Sequence, residues 1–153
     1  MIVPGVFHIR LKGLELQAER ILDPSLNTRP LAIISSPRSN GRILSLSSEA
    51  EEEGLSYGMK VSIIRKMSHG VQLLPYNHTL YTRVNNYVYE AVSTFSPVVE
   101  PEMIGRFYLD MNGMCLARNH IHNAGLSILK RIREKTNLVG MVGISINLSL
   151  IHI

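Results

Sequence analysis

The chain of 153 residues has no tryptophan, three phenylalanines and one cysteine, Cys115. A lone cysteine excludes an internal disulfide and a multi-cysteine zinc site, and fits a reducing cytoplasm. No apolar run approaches the ~20 residues that a membrane helix needs. The opening MIVPGVFHIRLKG lacks a basic leader ahead of an apolar core, so it does not read as a signal peptide. Aspartate is scarce: Asp23 and Asp110 are the only two, and glutamate supplies 10 of the 12 acids. The six histidines show no HExxH or paired-ligand spacing. His120 and His122, two residues apart, diverge on a helix and read as surface imidazoles. No repeat or low-complexity tract is visible.

What is present is a mild basic excess, with a net charge of +4 and arginine as 11 of the 16 basic residues. Arginine suits planar, bidentate contact with phosphate, so nucleic acid is a plausible partner, although such an excess is also common elsewhere. VFHIRL (6–11) alternates as a strand does, and LELQAERIL (14–22) has helical spacing until DPS breaks it. RPLAIISS (29–36) is a short continuous apolar run, a buried strand, and RILSLSS (42–48) is another strand. Ser47 or Ser48 can cap the short helix SEAEEEG, which Gly54 ends. Its acids match the dipole of a helix start better than they match a metal site.

Further on, 57–67 reads as a turn and a helix, and 71–76 as a strand. Residues 77–95 form a long helix whose stripe Leu80, Tyr81, Val84, Tyr87, Val88, Ala91, Val92 and Phe95 is core packing. PVVEPEMI and RFYLDM are two strands. Residues 123–137 form an amphipathic helix with Lys130, Arg131, Arg133 and Lys135 on its polar side, and 138–146 is a last strand. The order implies an α+β fold: a ferredoxin-like split βαβ sheet with a small lobe inserted after its first helix.

Seven stretches, in order, carry a family resemblance. They are FHI, DPSL with RPLAI, SEAEEEGLSYGMKV, LLPYNHTLYTRV, FSPVVEP, YLDMNG, and REKTNL with GISIN. The chain resembles the N-terminal palm and fingers of the Y-family translesion DNA polymerases, the DinB and UmuC type, over about residues 6–147. The resemblance implies a first palm segment (1–20), a fingers-like insertion (21–70), a second palm segment (71–147) and a non-homologous tail (148–153) from a truncated reading frame. It implies DNA as the partner, replication or repair proteins engaged through missing C-terminal domains, a cytoplasmic location and no membrane.

Such polymerases hold two Mg²⁺ ions between strand-end carboxylates. The family's first acid falls on Arg10 and the second acid of its D-x-D pattern on Lys12. The downstream acid pair falls on Gly105 and Arg106. The ring that excludes ribose falls on Glu15, and the Tyr and Arg that hold the triphosphate fall on Ser48 and Glu51. Replacing an acid ligand with arginine changes the site by about two charge units. The implied reading is a polymerase fold with a degenerate catalytic and nucleotide site, no metal ligand and no bound cofactor, akin to ImuB-type accessory factors. Asp110 aligns with a later acid, not a ligand, and reads as closing a strand and capping the Met111–Gly113 turn.

Two other readings stay open: an active nucleotidyltransferase using Glu15, Glu100 and Glu102, and a generic ferredoxin-like binding domain. The family places the segment matching SYGMKV over the templating base, so Gly58 and Met59 are expected at a base face. Arg42 and Lys60 flank it as phosphate contacts or ordinary surface charge. Arg10, Lys12 and Arg106 form a further basic cluster able to hold a phosphate without metal.

Overall fold

A computed structural model describes residues 5–67, 70–96, 98–111 and 120–146. Its strands are β1 (Gly5–Arg10), β2 (Leu31–Ile34), β3 (Ile43–Leu46), β4 (Gln72–Pro75), β5 (Val99–Met103), β6 (Arg106–Asp110) and β7 (Met141–Ile146). Its helices are α1 (Leu14–Leu22), α2 (Ser48–Glu52), α3 (Val61–Met67), α4 (His78–Val92) and α5 (Ile121–Thr136). Gly13–Tyr81 forms one compact unit, and the described residues on either side of it form a second. The expected turn beyond Asp110 and the expected tail at 148–153 lie outside the described residues. No helix among the described residues is long and apolar enough to cross a membrane.

Alternation builds the sheet of the second unit. Phe7 and Ile9 of β1 are buried, as are Phe107 and Leu109 of β6, while the residues between them face the other way. The register sets Phe7 opposite Leu109 and Ile9 opposite Phe107, so the four make one apolar face. Burying each such side chain stabilises the fold by about 1.5–3 kcal/mol. The strand order is β5-β6-β1-β7 with every neighbouring pair antiparallel, which leaves β1 and β5 parallel and separated by β6. That is the split βαβ plan.

Two helices lie on the apolar face. Tyr89 of α4 places its ring centroid 6.3 Å from that of Phe107. Gly125 of α5 approaches Val142, whose strand neighbour is Ile9. Val88, Ala91, Val92, Ile128 and Ile132 are buried. Two readings of these helices need correction. Tyr87 is 53% exposed, because the buried arc of α4 is narrower than the apolar stripe. Arg131 is half-buried, on the flank of α5 rather than its outer side.

In the unit Gly13–Tyr81, the sheet order is β3-β2-β4, with β2 antiparallel to β3 and parallel to β4. Every residue of β2 is buried, as its unbroken apolar run requires of a central strand. Ser47 caps α2 by accepting from the Ala50 N–H at 3.2 Å and also accepts from the Leu31 N–H at 2.9 Å. Gly54, with φ +92°, ends the segment. The Tyr81 hydroxyl donates to Glu19 at 3.0 Å, and burial first, then this bond, push its phenol well above the ordinary range.

Arg20 joins α1 to α2 by donating to Glu49 at 2.6 Å. Its guanidinium holds the Glu49 carboxyl below the ordinary glutamate range, against an opposing effect of burial. A depressed folded-state pKa contributes stability that is present above the unfolded-state value and lost as pH falls through the folded one. Melting temperatures recorded from about pH 6 to about pH 3 should therefore fall less steeply in Glu49→Gln than in the parent chain. Parallel curves would show that the pair contributes no net stability.

Candidate nucleic-acid interface

The polar face of the four-stranded sheet follows from the same alternation that made the core. Arg10 and Arg106 are direct cross-strand partners at the end of β1. In the next row His8 lies opposite Tyr108, their rings edge-to-face with centroids 4.4 Å apart, and Glu100 lies opposite Tyr108 on the other side. The Tyr108 hydroxyl donates to Glu102, and that bond is the first cause of a phenol pKa above the ordinary value. Ser145 on β7 lies 3.4 Å from the His8 Nε2. A shallow pocket of about 140 Å³ is lined by Arg10, Arg106, Glu102, His8, Tyr108 and neighbouring backbone. It sets two guanidinium groups against one carboxylate. Neither arginine has an ion pair among the described residues.

Gly105 sits in the β5–β6 turn with φ +81°. Its N–H donates to Asn85 Oδ1 at 2.8 Å and its carbonyl accepts from the Leu11 N–H at 2.7 Å. The backbone at the place of one aligned acid is therefore held on both sides in a left-handed conformation. A side chain there costs about 1–2 kcal/mol. Lys12, exposed, follows Arg10 by two positions.

The other unit gathers a second set. Arg42 and Lys60 form an isolated antiparallel bridge. Arg42 Nη1 donates to the Gly58 carbonyl at 2.8 Å, and the Ile43 N–H donates to Met59 O at 3.0 Å. Gly58 has φ +78°, and a Cβ built on it would meet nothing within 4 Å. Glycine is needed there for its backbone conformation, and the space beside it is open. Met59 packs on the core of its unit. Ser48 donates its hydroxyl to Glu49 at 3.1 Å, while Glu51 stands exposed in the first turn of α2. Glu15, half-buried on α1, is a secondary cause of the raised Tyr76 pKa, after burial.

A family model described as the impB/mucB/samB family matches residues 14–152. The chain belongs to that family. It is 26% identical over 145 residues to a DNA polymerase IV of Dehalococcoides mccartyi, covering 95% of this chain and 37% of the relative. It is 28% identical over 134 residues to a DNA polymerase IV of Saccharolobus solfataricus, covering 86% and 38%. Among solved structures, the insertion ternary complex of Dbh DNA polymerase superposes with a TM-score of 0.83 at 21% identity, over 92% of this chain and 42% of that one. DinB from Sulfolobus solfataricus gives 0.81 at 22%, over the same shares. The fold is that of the Y-family polymerase palm. The chain spans about two fifths of the length of these relatives.

The magnesium that the family's chemistry implies does not fit the residues at the palm end of β1. Magnesium takes oxygen ligands in a near-octahedral shell. Arg10 and Arg106 bring positive charge, Gly105 has no side chain, and Glu102 accepts from Tyr108. No group of three acids or imidazoles able to hold a metal occurs among the described residues.

The arginine pair, the Gly58 turn and the Arg42–Lys60 bridge all involve residues singled out from sequence. The Glu102–Tyr108 bond and the Asn85 clamp on Gly105 were missed. Alternation could have placed Tyr108 and His8 on the face of Arg10, but nothing local marks Asn85.

Proposed function

We propose that this chain is a DNA-holding member of the family that works in damage tolerance without transferring nucleotides. In this reading the four-stranded sheet is the palm, and the fingers lie within Gly13–Tyr81. The observation that carries it is the cross-strand pair of Arg10 and Arg106 where the family resemblance expects acids. Two guanidinium groups in adjacent strands present forked donors to a phosphate and need no metal to bridge the charge. Lys12 extends the cluster, while Arg42 and Lys60 supply a second basic point beside the open surface of Gly58. Replication and repair proteins belong to this reading only as partners of a longer protein.

The test is a titration of the chain with fluorescent primer–template DNA at several salt concentrations. Loss of two phosphate contacts in Arg10→Ala/Arg106→Ala should lower the log–log salt slope by about 1.8. An unchanged slope and affinity would sink the phosphate cradle. A second reading, nucleotidyl transfer through Glu100 and Glu102, has in its favour that both acids flank Tyr108. Primer extension with Mg²⁺ or Mn²⁺, abolished in Glu100→Ala/Glu102→Ala, would establish it in place of the first. No extension is expected.

A further inference from the structure

On the helical side of the palm sheet, a cavity of about 320 Å³ opens between α4 and α5. It is lined by Tyr87, Glu90 and Ala91 from α4, by Thr94 in the turn just after it, and by Arg131 and Lys135 from α5. A spacing of four residues sets Arg131 and Lys135 side by side on one flank of their helix. The Arg131 Nε–H is buried and has no acceptor among the described residues. A charged donor buried without a partner is costly, and native structures rarely leave one so. Glu90 lines the same cavity, yet no ion pair joins it to Arg131 or Lys135.

We infer that this cavity binds a ligand bearing a single carboxylate on an apolar stem. Two cations against one carboxylate leave a net charge near +1, which a monoanion balances. A carboxylate matches the terminal edge of a guanidinium with two parallel hydrogen bonds, while the Arg131 Nε itself stays buried out of a ligand's reach. A phosphate dianion would overshoot the charge and crowd Glu90. The exposed Tyr87 ring and Ala91 offer an apolar wall to the stem. The volume is at the small end of the range for small-molecule sites. The helices cover the apolar face of the sheet, whereas Arg10 and Arg106 belong to the polar face. The ligand therefore does not compete with DNA at the arginine pair.

The experiment is amide NMR of the whole chain titrated with sodium benzoate, and separately with sodium phosphate at matched ionic strength. Benzoate should give saturable shifts confined to residues near 87–94 and 131–135, with a dissociation constant in the millimolar range. Arg131→Met keeps the apolar stem. It should weaken benzoate about tenfold or more while leaving the melting temperature equal or higher, because an unsatisfied buried donor has been removed. Glu90→Gln should tighten benzoate. Phosphate binding tighter than benzoate at these residues would overturn the carboxylate assignment. Absence of saturable shifts, or equal affinity in Arg131→Met, would overturn the site itself.

Discussion

Gly41→Ala should destabilise the unit Gly13–Tyr81 by about 3 kcal/mol, the upper end for forced overpacking. A Cβ on Gly41 would lie 2.0 Å from the Ser36 carbonyl oxygen, 2.9 Å from its carbon and 3.1 Å from the Arg38 oxygen. All three are backbone atoms, so no side chain can swing aside. The loop itself is tied down: Gly41 N–H donates to Arg38 O at 2.9 Å, Ser35 N–H to Arg42 O at 2.9 Å and Val61 N–H to Gly41 O at 2.8 Å. Arg65 Nη2 adds a bond to the Pro37 carbonyl at 2.8 Å. Relief of the clash must break some of these bonds, and the next residue is Arg42, which holds the Gly58 turn. Urea unfolding should show a lower midpoint, and hydrogen exchange should quicken in β2 and β3. An unchanged midpoint with unchanged exchange would show that the loop yields at little cost.

Phe107→Ala should cost about 4 kcal/mol, whereas Arg106→Ala, one residue away, should change stability by less than about 1 kcal/mol. Phe107 is 1% exposed, lies opposite Ile9 and meets the Tyr89 ring, so its removal leaves a cavity with little chance of collapse. Arg106 points to the polar face, where water replaces what it loses. The functional effects should divide the opposite way: Arg106→Ala lowers the salt slope of DNA binding, and Phe107→Ala leaves it intact at temperatures where the variant is folded. Equilibrium unfolding of the two variants checks this directly. If Arg106→Ala were the damaging one, β6 would be out of register by one residue, since a single slip exchanges the two faces of a strand.

The local features were legible because each depends on a few neighbouring residues. Alternation in VFHIRL and RFYLD determined which side chains of β1 and β6 are buried. The unbroken LAII marked a central strand, and Ser47 and Gly54 bounded α2. Helical spacing located α4 and α5, although the width of the stripe misplaced Tyr87 and the polar flank misplaced Arg131, since neither depends on spacing alone. What the sequence determined by itself was the face on which Arg10 and Arg106 each lie. That the two arginines meet was decided by the antiparallel register of β1 with β6, a pairing between segments far apart in the chain. The Asn85 clamp on Gly105 depends on how α4 packs beside the β5–β6 turn, and the bond from Tyr108 to Glu102 on the register within that hairpin. Period specifies the face of an element, whereas partnership across elements depends on how distant surfaces pack, and only the tertiary structure decides that.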